Sequence, residues 1–150
     1  GSGDYTSIQN AIDNATDGDR IEVSPGTYEE HAEIAKNITL HAPGGATVAN
    51  TSTVAAEYTR FEARSGFQIY GDATPTISGF TFTDWRWGIS AGASEGDWTV
   101  KNVDIDGGTC GVCAAGTPGD WIVKNATIDV AFEETSISGF DSSGSWRVEN

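Results

Sequence analysis

Apolar and polar residues alternate over residues 97–106, DWTVKNVDID, and again over 120–129, DWIVKNATID. Trp98, Val100, Val103 and Ile105 hold the same places as Trp121, Val123, Ala126 and Ile128. A period of two marks strands with one buried face. A third copy, SWRVEN, opens at residue 145. The copies start 23 and then 25 residues apart, and a repeat of that length is the mark of a solenoid. Built from strands and rich in Gly and Asn, it predicts an all-β parallel β-helix with three strands per coil of about 23 residues.

The period changes at the N-terminus. Tyr5, Ile8, Ala11, Ile12 and Ala15 follow helical spacing, which predicts a short amphipathic helix over 4–16. Asp4 or Thr6 would cap its start, and Asp17-Gly18-Asp19 would stop it. Such a helix would cover the first coil, whose apolar side chains and strand edges are otherwise open. Residues 19–74 hold the first coils and an irregular stretch, with Pro43-Gly44-Gly45 and short strand candidates at 59–63 and 67–70. Residues 75–150 hold regular coils, and 1–150 reads as a single domain.

The inward column aligns Ile38/Leu40, Phe80/Phe82, Val103/Ile105 and Ala126/Ile128. A second strand per coil follows at Gly88-Ile89-Ser90, Gly111-Val112-Cys113 and Ser136-Ile137-Ser138. The Trp-x-Val segment is the third. Asn37, Asn102, Asn125 and Asn150 each precede the first strand, with Gly79 in the remaining coil. Stacked Asn side chains bond along the axis, and Asn and Gly tolerate a left-handed corner, so these residues form an expected structural ladder.

The run GDYTSIQNAIDNATDGDRIEVSPGTYEEHAEIAKNITLHAP resembles the opening of the pectin methylesterase and pectate lyase-like group of β-helices. Related openings also begin many archaeal and bacterial surface proteins with β-helix repeats. The resemblance implies a right-handed, single-stranded parallel β-helix whose groove runs along the outer face of the first strand. It carries over no catalytic residue. The two Gln, two Asp and Arg of the methylesterase site have no counterpart, since Gln occurs only at Gln9 and Gln68. Arg86 and Arg147 stand in no lyase motif, and the polygalacturonase Asp arrangement is also missing.

Charge narrows the partners. The net charge of −14, with 22 acidic and 8 basic residues, repels nucleic acid and anionic membranes. Acidic excess with little Lys is also the pattern of proteins from saturated salt, where screening removes self-repulsion. A halophilic origin and an ordinary acidic secreted protein are the two readings. The apolar stretches are too short for a signal peptide or a membrane span. Four Asn-x-Ser/Thr sequons, at Asn14, Asn37, Asn50 and Asn125, fit a glycosylated exterior protein or chance in a Thr-rich chain. Cys110-x-x-Cys113 reads as a local disulfide or two free thiols, since only His31 and His41 could complete a metal site.

Two places carry candidate chemistry. If Val103 and Ile105 point in, then Asp104 and Asp106 point out, and Asp129 lies one coil above Asp106. Such carboxylates recruit Ca²⁺, perform acid/base work on a polysaccharide, or form a solvated acidic face. Asp84, Trp85, Arg86 and Trp87 follow a first strand where loops project, and an aromatic beside Asp and Arg suits a sugar ring. Trp98, Trp121 and Trp146 repeat with the coil and read as a stacked column at the core edge. The chain stops mid-coil at SWRVEN, so further coils or self-association through an open end are expected. The balance favours a non-catalytic extracellular or cell-surface module, adhesive or filament-forming. The alternative is a fragment of a polysaccharide lyase, esterase or hydrolase, or a carbohydrate-binding module.

Overall fold

Residues 5–51, 65–92, 94–130, 135–139 and 143–149 are described by the computed structural model. The helix α1 spans Ile8–Asn14 and buries Ile8 and Ile12. Its N-cap is Ser7, whose hydroxyl accepts the Asn10 N–H, rather than Thr6, while Asp4 lies outside the described residues. The start is fixed from a distance. The Glu30 carboxylate accepts from the Ser7 hydroxyl and from the backbone N–H of Ile8 and Gln9. At the other end Lys36 Nζ donates to the carbonyls of Ile12, Asp13 and Ala15, each at 2.8 Å. A carboxylate at the helix N-terminus and an ammonium at its C-terminus both complement the macrodipole.

Among the described residues twelve strands follow: β1 Arg20–Glu22, β2 Thr27–Tyr28, β3 Ala32–Ile34, β4 Thr39–Ala49, β5 Ser65–Ile69, β6 Thr76–Thr83, β7 Trp87–Ser90, β8 Trp98–Asp106, β9 Cys110–Cys113, β10 Trp121–Asp129, β11 Thr135–Ser138 and β12 Trp146–Glu149. They form a parallel β-solenoid of about five turns. One sheet runs β1-β4-β6-β8-β10-β12, with β2 also on β4, and the other runs β11-β9-β7-β5-β3. The Trp-x-Val segment and the segment after Asn102 or Asn125 are halves of one strand, bent where those Asn take φ of 52° and 48°. Three straight segments per coil therefore share two hydrogen-bonded sheets.

One column runs Ile21, Leu40, Ile77, Val100, Val123, Val148, and a second runs Ala46, Phe80, Val103, Ala126 in step with Val48, Phe82, Ile105, Ile128. This corrects the register read from the sequence, which placed Ile38/Leu40 beside Phe80/Phe82. In that coil the corner is not one residue. Pro43-Gly44-Gly45 fills it, and the pairing shifts between His41 and Ala46. The strand candidate at 59–63 lies outside the described residues, whereas the one at 67–70 coincides largely with β5.

The interior is apolar and tightly filled. Leu40, Ile77, Val100 and Val123 are fully buried, and Phe67 packs edge-on against Phe80 and Phe82 at 5.1 and 5.0 Å. Burying one such side chain contributes about 1.5–3 kcal/mol. Trp98 and Trp121 stack at 5.2 Å with planes 3° apart, so they belong to the core wall. The edge of β3 is closed by a side chain. Gln9 Oε1 accepts the Glu33 N–H at 2.7 Å, and Gln9 Nε2 donates to the Glu33 carbonyl at 3.4 Å. The amide of Gln9 stands where a neighbouring strand's peptide would otherwise bond.

Candidate functional site

The outer face of the post-corner segments is built by strand parity. Phe82 and Ile105 face in, so Thr81, Asp104 and Thr127 align outside, as do Thr83, Asp106 and Asp129. Asp104, Asp106 and Asp129 are exposed, and Asp106 and Asp129 are direct neighbours on adjacent strands, about 4.8 Å apart at the backbone. Asp84, exposed and left-handed at φ 62°, starts the loop beside them, and its N–H donates to the Asp106 carbonyl. The three carboxylates expected to act together are thus two in one column and one in the next. Among the described residues, no group of three His, Cys, Asp or Glu is arranged to hold a metal ion.

The predicted Asp84–Trp87 sugar site divides. Trp85 is only 2% exposed and its Nε1–H donates to the Val48 carbonyl at 2.9 Å. It is a core residue and presents no ring to a ligand. The left-handed Asp84 turns the chain so that Trp85 enters the interior, where parity counting alone placed it in a projecting loop. Arg86 is exposed, and its guanidinium lies 5.8 Å from the centre of the half-buried Trp87 ring. That pair, with Asp84 two residues before it, is the accessible remainder of the predicted site.

The polar residues that repeat with the coil bond to one another. Asn125 Nδ2 donates to Asn102 Oδ1 at 3.1 Å, and Gly79 takes the same corner with φ 83°. A Cβ at Gly79 would stand 2.2 Å from the Ala42 carbonyl oxygen, so the backbones approach too closely there for Asn. Asn37 is not in this ladder. It belongs to a second one, at the entry to the Trp-x-Val segment. Asp17 Oδ1 accepts the Asn37 N–H, Asn37 Oδ1 the Thr74 N–H, Asp97 Oδ1 the Asp120 N–H, and Asp120 Oδ1 the Ser145 N–H, at 2.6–3.0 Å. Sequence reading missed the Asp members because an Asp before a strand also reads as an ordinary turn residue. Asn150 lies outside the described residues.

Cys110 and Cys113 form a disulfide. The imidazole Nδ1 of buried His31 contacts the Ser65 carbonyl oxygen at 2.7 Å, and that of His41 contacts the Ser78 hydroxyl at 2.8 Å. A feature without sequence signal is an open groove of about 890 Å³ between α1 and the β1/β2 edge. Ile8, Ala11 and Ala15 wall it on one side, Ile21 and Tyr28 on the other. It exists because α1 covers the β3 side of the first coil and leaves β1 uncovered. Arg20 and Glu22 on that edge form an exposed ion pair at 3.2 Å, which discourages a strand from adding there. No helix among the described residues is long and apolar enough to cross a membrane. Comparison with models of protein families, with curated proteins and with solved structures finds no match to this chain.

Proposed function

We propose that this chain is a non-catalytic β-helix module of an extracellular or cell-surface protein, serving a structural or adhesive role. The carrying observation is where the repeated polar residues are spent. Asn102, Asn125, Asp97 and Asp120 bond from coil to coil, while Asp104, Asp106 and Asp129 fan outward into solvent. A net charge of −14 supports a halophilic origin of the haloarchaeal surface-protein type, and the opening run supports membership of the pectate lyase-like group. End-to-end stacking is the proposed assembly. It is supported by the parallel pairing of successive coils, whose strand edges can pair in the same way with those of another copy. Electron microscopy at high salt tests this, and monodisperse monomers at every concentration would sink it.

The second reading is a carbohydrate-binding or carbohydrate-active segment. It is favoured by Arg86 over Trp87 and by the Asp106/Asp129 pair, between which Ca²⁺ and a uronate carboxylate would fit in charge. Incubation with uronate polysaccharides, with and without Ca²⁺, separates the two. The non-catalytic reading expects no product from the native chain and no difference in an Asp106→Ala/Asp129→Ala variant. Product that disappears in that variant would overturn it.

A further inference from the structure

The four sequons are chemically equal in the sequence and unequal in the fold. Asn125-Ala126-Thr127 lies within β10, where Ala126 and Thr127 pair with Val103 and Asp104 of β8. Its amide also bonds Asn102. Asn37 leads directly into β4 and is held through its backbone N–H, its Nδ2 and its Oδ1 by Asp17 and Thr74. Asn50 is half-buried, donates from its backbone to the Thr83 carbonyl, and donates from Nδ2 to the Asp84 carbonyl. Asn14 is exposed, as Asn37 and Asn125 are, and differs in its bonds: it ends α1, and among the described residues its Nδ2 bonds within the helix, to the Asn10 carbonyl at 2.8 Å. Thr16, its sequon partner, is exposed too, and its hydroxyl donates to the exposed Asp19.

A transferase must take the Asn-x-Thr tripeptide into its own cleft. At Asn125 that means lifting a strand off β8 and breaking the bond to Asn102. At Asn37 and Asn50 it means breaking bonds that hold one coil to the next. At Asn14 it means fraying the last turn of a short helix and releasing the flanking Asp13 and Ala15 carbonyls from one side chain, Lys36, with no strand pairing broken. Opening free energies run from near zero at frayed ends to the full unfolding value in core strands. We propose that Asn14 is the N-glycosylation acceptor of the folded protein and that Asn37, Asn50 and Asn125 are not acceptors once the solenoid has formed. The co-reactant is a glycan on a polyprenyl phosphate or diphosphate. Asn14 Nδ2 forms a bond to the anomeric carbon, the bond from that carbon to the phosphate oxygen breaks, and the lipid phosphate leaves with the electron pair. The amide loses one proton, and nothing is oxidised or reduced.

The inference rests on the exterior reading for its biological setting but not for its test. The full chain, folded or unfolded in urea and diluted immediately before reaction, is incubated with purified oligosaccharyltransferase and a lipid-linked glycan. Sites are then mapped by peptide mass spectrometry. The folded chain is expected to be labelled at Asn14 at least about tenfold faster than at the other three sequons, because its opening breaks no strand pairing or coil-to-coil bond. The unfolded chain should lose that selectivity, and Asn14→Gln should abolish labelling of the folded chain only. Labelling of the folded chain at Asn37, Asn50 or Asn125 at a rate comparable with Asn14 overturns the proposal. So does a folded chain unmodified at Asn14 when the unfolded chain accepts glycan there. The native cellular location, measured separately by surface labelling, decides the exterior reading on its own.

Discussion

Replacing Lys36 by Met keeps the alkyl stem and removes the ammonium that ties the first coil to the end of α1. In the native protein Nζ reaches three carbonyl oxygens at 2.8 Å, two of them in partly buried surroundings at Ile12 and Ala15 and one exposed at Asp13. The exposed bond exchanges with water at little cost. The two partly buried carbonyls would each lose this bond, Ile12 keeping the Ala15 N–H at 3.2 Å, at about 1 kcal/mol each after partial rehydration. Loss of the favourable charge at a helix C-terminus adds roughly 0.3–1 kcal/mol at moderate salt. The expected destabilisation is thus about 2–3 kcal/mol. For a chain of this size each kcal/mol lowers Tm by about 2–4 °C, so a fall of roughly 4–12 °C is expected by far-UV circular dichroism. Hydrogen exchange at Ala11 and Ala15, whose N–H groups bond within the helix, should accelerate before that of the Val100 strand. Lys101→Met, at an exposed strand position, serves as the control and should stay within about 0.5 kcal/mol. If the two variants melt together, α1 is not held by this lysine and the account of the cap fails.

Three further outcomes follow from particular contacts. Gly79→Asn, which extends the Asn ladder by sequence logic, is expected to destabilise by about 1–3 kcal/mol or more, because its Cβ meets the Ala42 carbonyl; a denaturant midpoint at or above the native value would contradict this. Trp85→Phe should cost roughly 1–3 kcal/mol by leaving the Val48 carbonyl without its donor, and should leave any polysaccharide retention on an affinity gel unchanged. Asp19, through the Thr16 N–H and then its hydroxyl, and Glu149, through Lys124 and then Arg147, are held below the usual carboxylate range. A depressed folded-state value adds stability above the unfolded pKa of about 4, and that stability is lost as pH falls through the folded value. Tm should therefore fall on acidification below about pH 4, and Asp19→Asn/Glu149→Gln should flatten that limb; an unchanged acid slope would count against both assignments.

Much of the fold was written in period two and in a few corner residues. Val100, Val103, Val123 and the Asn102/Asn125 corner could be placed from the sequence because each repeats with an equivalent neighbour. What could not be read depends on partners far along the chain. Glu30 and Lys36 look like surface charges until the helix lies between them, and Gln9 gives no sign that its amide will pair with the backbone of Glu33. The second coil was misaligned because its corner is an inserted Pro43-Gly44-Gly45 rather than one left-handed residue. Within the candidate site, the parity of Asp104, Asp106 and Asp129 was legible. The burial of Trp85 was not, because one positive φ at Asp84 redirects everything after it.

Equivalent positions in the column Ile21, Leu40, Ile77, Val100, Val123, Val148 are separated by 19, 37, 23, 23 and 25 residues. The rungs stay in step although the chain between them nearly doubles in length from one coil to the next. Alignment is set where strands meet and is indifferent to the path taken between meetings. Coil length is therefore open to change by insertion and deletion at corners, with no compensating change elsewhere. A lineage carrying this architecture can vary its outer contour one coil at a time while inheriting the same core.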